Sequence, residues 1–393
     1  MILIPVVYNL RNLTVRRFST ALTVGGIALA AAIFVIVLML LNGLSHAMER
    51  TGSTDNAVIL RKGATSETLS GMDRAWTDVI EVDPGIALTP DGRPFVVSEA
   101  VVGVNLPRRG ATNDREGSNV TVRGITPMSL ALREQVRIVE GRAVSPGRAE
   151  IIAGINASRG FQNCQVGGAI RMGGVDWSVV GLFEAGGAAF ESELWGDRDL
   201  LMSSFGRRGF SSVTLRMNDP RLDVVALQNR FDDDPRLDVH VQTEQEYFTS
   251  SSLQLRILIS MLGAVLITLF SAGAVMGAMV TMFAYVGSRT REIGTLRALG
   301  FSRRAILSCF VVESLILAAA GGIVAVVPAL FIQQFTFSTT NFATFTDVTW
   351  HFRASPSILV AGMLFSLAVG FLGGIIPAIR AASLPIITSL REV

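Results

Sequence analysis

The sequence predicts a membrane protein with four transmembrane α-helices and a large extracytoplasmic mixed α/β domain inserted between helices 1 and 2. Three observations predict it. Apolar residues gather near the start and in the last third of the 393-residue chain, a long polar middle separates them, and arginines recur at alternate ends of the apolar runs.

Residues 1–45 read as a cytoplasmic N-terminal segment and transmembrane helix 1, whose apolar run covers 21–41 after Arg11, Arg16 and Arg17. The competing reading is a cleaved signal peptide with Ser45-His46-Ala47 as its cleavage site. A signal h-region is only about 7–15 residues long, whereas a spanning helix needs about 20, and the run supplies the greater length.

Residues 46–252 read as the external domain. Short alternating stretches such as Phe95-Val96-Val97, Asn119-Val120-Thr121-Val122 and Ser178-Val179-Val180 predict strands. Asp83-Pro84-Gly85, Pro90-Asp91-Gly92 and Ser145-Pro146-Gly147 predict turns between them. Helical periodicity appears over 129–137 and 224–231. The stretch is long enough to bury its own core.

Helix 2 is expected over 253–287, longer than a bilayer requires, with Arg256 near its outer end. A cytoplasmic loop over 288–304 follows, then helix 3 (305–333), an external loop (334–355), helix 4 (356–380) and a cytoplasmic tail (381–393). Glu313 inside helix 3 is costly in lipid and should face protein or the interface. Arg11, Arg16 and Arg17 in the N-terminal flank, Arg289, Arg291, Arg297, Arg303 and Arg304 in the loop, and Arg380 and Arg391 in the tail place all three on the cytoplasmic side by the positive-inside rule. The external loop, with Asp347, His351 and Arg353, then lies opposite. Gly273 with Gly277, and Gly370 with Gly374, are small-residue pairs that allow close helix packing. Glycine is also simply frequent in membrane helices.

Several classes of chemistry are excluded. The net charge of +2, without basic runs interleaved with aromatics, argues against a nucleic-acid binder. The single lysine, Lys62, is not framed as a phosphate-binding loop. His46, His240 and His351 are isolated, and neither a zinc-binding pair nor a nucleophile elbow occurs, so no catalytic residue and no metal site is assigned. Cys164 and Cys309 are not expected to meet. Asp232-Asp233-Asp234, and equally Glu191 and Glu193, read as solvated acidic surface, and 186–190 (Gly-Gly-Ala-Ala-Phe) as an ordinary apolar loop.

The segment 289–304, RTREIGTLRALGFSRR, alternates charged and apolar residues at helical spacing and stops at Gly300. It reads as a short amphipathic helix against the inner membrane face or against a partner; the blander alternative is an interfacial helix that only anchors the loop.

The pattern Arg289 to Ile306 resembles the signature after the second helix of the FtsX-like permease family of ABC transporters, which includes the MacB-type transporters. Glu313 with Gly321 and Gly322 resembles that family's third helix, and Gly374, Pro377, Ala378, Arg380, Ala381, Ala382, Leu384, Pro385, Leu390 and Arg391 resemble its closing pattern. Asn12, Arg16 and Arg17 fit its first-helix flank. In the middle, Arg123-Gly124-Ile125-Thr126-Pro127, Gly141-Arg142, Gly154, Val166-Gly167 and Val179-Val180-Gly181-Leu182-Phe183 are similar to the family's periplasmic core domain.

The resemblance implies a permease subunit that binds no cofactor itself, with ATP and Mg on a separate ABC ATPase subunit. It implies a second permease copy or a homologous permease, membrane lipids around the helices, and a periplasmic adaptor protein and outer-membrane channel as further candidate partners. ATPase coupling would map to Arg289, Arg291, Glu292, Ile293, Leu296, Arg297, Leu299 and Gly300. Among these, Arg291, Glu292 and Arg297 would make polar contacts, while Ile293, Leu296 and Leu299 would fill the ATPase groove. The work done would be export or extraction of a hydrophobic or amphiphilic substrate: lipoprotein, lipid, drug or peptide.

Some relatives instead act as non-transporting regulators of a periplasmic cell-wall hydrolase, an alternative that the membrane signature leaves open. A membrane-anchored enzyme acting through 46–252 finds no catalytic constellation to support it. The expected location is the bacterial inner membrane, multi-pass, with both termini cytoplasmic and the large domain periplasmic; a Gram-positive plasma membrane would need the same topology.

Overall fold

A computed structural model of the chain describes residues 17–110, 117–219, 224–341 and 346–386. The expectations placed on Arg11, Asn12, Arg16, Leu390 and Arg391 lie outside these residues. The chain divides into two compact units, one of residues 17–42, 258–335 and 352–386, the other of 43–257 and 336–351.

Among the described residues, four helices are long and apolar enough to cross a membrane: Arg17–Thr51, Leu253–Ser288, Arg303–Ile332 and Pro356–Ser383. At 1.5 Å per residue the second is roughly 54 Å long, well beyond the ~30 Å hydrocarbon layer. Their starts are set by local chemistry. Ser302 caps the third helix by accepting from the Ala305 amide, and Ser355 caps the fourth ahead of Pro356. The third and fourth helices pack through small residues: a Cβ at Gly370 would strike Ala318, and one at Gly374 would strike Ser314. Glu313 is buried in this unit, facing protein as its cost in lipid requires.

The second unit is built on a mixed ten-stranded sheet in the order β10-β1-β9-β2-β3-β8-β5-β7-β4, with β6 pairing β7. The strands are β1 (Asn56–Arg61), β2 (Val96–Pro107), β3 (Gly117–Ile125), β4 (Arg137–Gly141), β5 (Glu150–Gly154), β6 (Ala169–Met172), β7 (Val175–Glu184), β8 (Leu194–Asp197), β9 (Ser212–Arg216) and β10 (Val239–Thr243). Among the described residues only β3–β8 and β5–β7 pair in parallel. One core gathers Val122, Phe161, Trp177 and Leu201, and a second gathers Ile59, Leu215, Leu227 and Phe231 under helix Val224–Asp232. A third joins Phe183, Phe190, Trp195 and Tyr247.

Three sequence expectations change here. The helical periodicity over 129–137 is only partly realised: the helix is Pro127–Leu132, and β4 begins at Arg137. Arg133 leaves helical geometry and sends its guanidinium into the domain interior. Glu191 and Glu193 are buried rather than solvated, and Phe190 is a core side chain on the 3₁₀ turn Ala189–Ser192. The 334–355 loop contains a hairpin, β11 (Thr336–Asn341) with β12 (Thr346–His351), that belongs to the same compact unit as the sheet. A lone hairpin is marginal in water. This one is held by Thr121 Oγ1 to Thr346 Oγ1 at 2.8 Å, by the Thr349 amide to Ser192 Oγ at 3.0 Å, and by an ion pair between Arg108 and Asp347.

Candidate functional site

The amphipathic helix expected at 289–300 is present as Thr290–Ala298. Glu292 stands in its first turn and Arg297 in its last, each matching the helix dipole. It ends in a Schellman motif: the Phe301 amide donates to the Leu296 carbonyl at 3.2 Å and the Gly300 amide to Arg297 at 3.1 Å. Gly300 has φ +97°, the left-handed conformation that a side chain disfavours, so glycine is the fitting residue here.

The helix spends its apolar side inside the chain. Ile293 is buried against Met282, Val286, Ile306, Phe310 and Ala378, and Leu296 packs on the same cluster. Arg297 donates from Nη1 to the Leu384 carbonyl at 2.9 Å and the Ala382 carbonyl at 3.4 Å, satisfying acceptors at the end of the fourth helix. Arg289 is buried and pairs with Glu292, Nε to Oε2 at 2.8 Å. Ile293, Leu296 and Arg297 were expected to face an ATPase, and the structure turns them inward instead. A helix whose apolar stripe already fills its own bundle has only its opposite face to offer. That face carries Arg291, Glu292, Thr295 and Ala298, and ends at Leu299, which is 73 % exposed.

The two glycine pairs differ. Gly370 and Gly374 lie in helix contacts, whereas a Cβ at Gly273 or Gly277 would meet nothing. These last two border an apolar groove of about 750 Å³ between the first and second helices, lined also by Leu22, Gly26, Leu29 and Phe270. Thr23 donates to Thr281 across the same pair of helices at 2.8 Å.

In the sheet domain the structure reveals a buried ionic network that sequence reading missed. Arg123 on β3 binds Glu67, Glu99 and Glu193, and Arg133 binds Glu99 and Glu244. All six side chains are buried, and Phe190 lies under both guanidiniums at 5.4 and 5.0 Å. Glu244 also accepts from the Ser53 amide and from Asn56 Nδ2, so helix Glu244–Ser251 is tied to the chain just beyond helix Arg17–Thr51. Burial works to raise the Glu99 carboxyl, but Arg133 and Arg123 outweigh it and hold it down at about 2. Burial lowers Arg123, and Glu193, Glu67 and Glu99 more than reverse this, so its pKa lies well above its ordinary value. The Tyr247 phenol is pushed up by burial and by Glu67, whose amide it accepts at 3.0 Å. The network is saturated by its own partners and serves to fix geometry. Its signal in the sequence was a charge set inside an apolar strand, Glu99 before Ala100-Val101-Val102 and Arg123 after Val120-Thr121-Val122.

The family described as FtsX-like permease C-terminal matches residues 256–386, and the MacB-like periplasmic core domain matches residues 20–234. An uncharacterized ABC transporter permease of Bacillus subtilis, YknZ, is 26% identical over 293 residues, covering 70% of this chain and 71% of its own. The macrolide export ATP-binding/permease protein MacB of Shewanella is 24% identical over 380 residues, covering 86% of this chain and 56% of its own. The pyoverdine export ATP-binding/permease protein PvdT of Pseudomonas entomophila is 26% identical over 409 residues, 97% of this chain and 58% of its own. The chain thus spans little more than half the length of these two export relatives.

Proposed function

The chain belongs to the FtsX-like, MacB-type family of ABC transporter permeases, and from that premise we propose that it couples ATP hydrolysis by a separate ATPase subunit to movement of its periplasmic domain. The observation that carries this reading is the outward face of helix Thr290–Ala298. Its inner side is fixed in the bundle, so a force applied to Arg291, Glu292 or Leu299 would pass to the spanning helices through Ile293 and Arg297. No phosphate-binding loop occurs in these 393 residues; the partner chain is where we place ATP and Mg.

Two permeases, identical or homologous, would assemble with two ATPases. The groove at Gly273 and Gly277 is a fitting place for the second permease, because small residues let helix backbones approach. The location we assign is the bacterial inner membrane, with both termini cytoplasmic. The relatives named for macrolide and pyoverdine export support an export role. The substrate we assign is hydrophobic or amphiphilic, with a periplasmic adaptor and an outer-membrane channel as the partners that would help to deliver it.

The test is affinity purification of the tagged full chain from its native membrane in mild detergent. We expect a P-loop ATPase in comparable amount. An adaptor alongside it supports export, a lipoprotein supports extraction, and a cell-wall hydrolase replaces transport with regulation. Absence of any ATPase under several detergents sinks the coupling claim.

A further inference from the structure

One whole face of the hairpin β11–β12 is polar. Its register sets Thr336 against His351, Ser338 against Thr349 and Thr340 against Asp347, and residues directly opposite in an antiparallel pair share a face. From that face Thr336, Ser338, Asp347 and Thr349 line one side of a cleft of about 200 Å³. Helix Ile155–Gly160 and Arg108, just past β2, line the other, all within the compact unit of the sheet. Cations outnumber anions in this lining, with Arg108 and Arg159 against Asp347 alone. Asp347 is already satisfied, by Arg108 and by Thr340 Oγ1 at 3.2 Å. Arg159 is exposed, and neither its guanidinium nor the hydroxyls of Thr336 and Ser338 have a partner among the described residues. Asn156 is buried, yet its amide reaches Glu191 and the Thr349 carbonyl only at 3.4 and 3.5 Å. That Glu191 carboxylate is itself engaged, accepting the Ala185 and Gly187 amides.

We propose that this cleft binds an oxyanion, a phosphate or carboxylate group, with Arg159 and Arg108 as its charged contacts and the Thr336 and Ser338 hydroxyls as neutral donors. A guanidinium offers its N–H groups as a planar fork that matches two oxygens of either group, and a hydroxyl turns its proton toward whatever acceptor arrives. A cationic ligand would meet two guanidiniums, and an apolar one would take water from these donors and return no hydrogen bond. The cleft is smaller than the roughly 300–1,000 Å³ that encloses a drug-sized ligand, so it takes a charged group rather than a whole amphiphile. The same group exists as a free ion and as the head of an amphiphile, and the chemistry of recognition is shared. Once bound, it would clasp the hairpin to helix Ile155–Gly160.

The site needs nothing from the ATPase reading, and its test uses the full-length permease alone, in phosphatidylcholine nanodiscs at an ionic strength held constant with chloride. Inorganic phosphate, acetate and hexyl phosphate are titrated in turn while amide exchange is followed over Ile155–Gly160 and Thr336–Asn341. At twice its half-saturating concentration a bound oxyanion should slow exchange about threefold in both segments by mass action. Strand Asn56–Arg61 should not respond. Arg159→Ala should raise the half-saturating concentration about tenfold or more, the scale of one hydrogen bond to a charged group. Arg159→Lys should raise it less, since it keeps the charge and loses the fork. Equal exchange of strand Asn56–Arg61 in wild type and variants, without ligand, shows that the fold is intact. Tighter binding of hexyl phosphate than of inorganic phosphate supports the site and assigns the group to an amphiphile; equal binding supports it and assigns a free ion. No saturable protection by any of the three probes, or protection that Arg159→Ala leaves intact, overturns the proposal.

Discussion

Arg123 grips Glu67 with both arms, Nη1 to Oε1 at 2.8 Å and Nη2 to Oε2 at 2.9 Å, while its remaining donors reach Glu99 and Glu193. Such two-armed pairs fix direction as well as charge. Arg123→Met keeps most of the side-chain volume but leaves these carboxylates buried without their cation. That should cost about 3–5 kcal/mol, the scale found when one partner of a buried pair is removed. Ser212→Ala, which deletes only the 2.6 Å hydroxyl bond to Glu67, should cost about 1–3 kcal/mol. Thermal unfolding of both variants in the same detergent checks the order; equal midpoints would defeat it.

Glu99 supplies a pH signature of the same network. Its pKa is lowered from 4.5 to about 2 because Arg133 and Arg123 outweigh the effect of burial. A group depressed in the folded state contributes stability above its unfolded pKa and loses it as pH falls through the folded value. Glu99→Gln should therefore be less stable than wild type at pH 7, by about 3 kcal/mol at most. The gap should narrow as pH falls from about 4.5 toward 2. Unfolding midpoints of the two proteins across this window are the measurement, and a constant gap would remove Glu99 as its source.

The glycine pairs should separate by effect. Gly370→Val and Gly374→Val force a side chain into Ala318 and Ser314, overpacking of a kind that costs about 1–3 kcal/mol or more. Gly273→Ala and Gly277→Ala add a methyl to open space, so the helical unit should unfold within about 0.5 kcal/mol of wild type. Denaturation in detergent distinguishes the pairs, and a large loss in the second would mean that they pack as the first pair does.

How far the sequence reaches depends on range. Four spanning helices were legible because each is encoded by one unbroken apolar run, and helix Thr290–Ala298 because its periodicity and Gly300 lie within a dozen residues. Which way Ile293 and Arg297 point was not legible, since it is decided by Phe310 on the third helix and by Leu384 just past the end of the fourth. The ionic network was hidden for the same reason: Glu67, Glu99, Arg123 and Glu244 are far apart in the chain, and only the sheet order gathers them. Polar β11, Thr336–Asn341, carries too little apolar alternation to announce a strand.

That hairpin offers the last prediction. Asp347 is buried, accepts from Thr340 Oγ1 at 3.2 Å and pairs with Arg108, whose side chain stays nearly half exposed. Asp347→Ala frees Arg108 to water at little cost, so the loss falls mainly on the docking of the hairpin, about 1–2 kcal/mol. A two-stranded ribbon has little stability of its own. Amide exchange over Thr346–His351 should accelerate about tenfold while the Asn56–Arg61 strand, paired on both sides by β10 and β9, keeps its protection. Unchanged exchange in β12 would mean that the two hydroxyl contacts, Thr121 with Thr346 and Ser192 with Thr349, hold the hairpin without the ion pair.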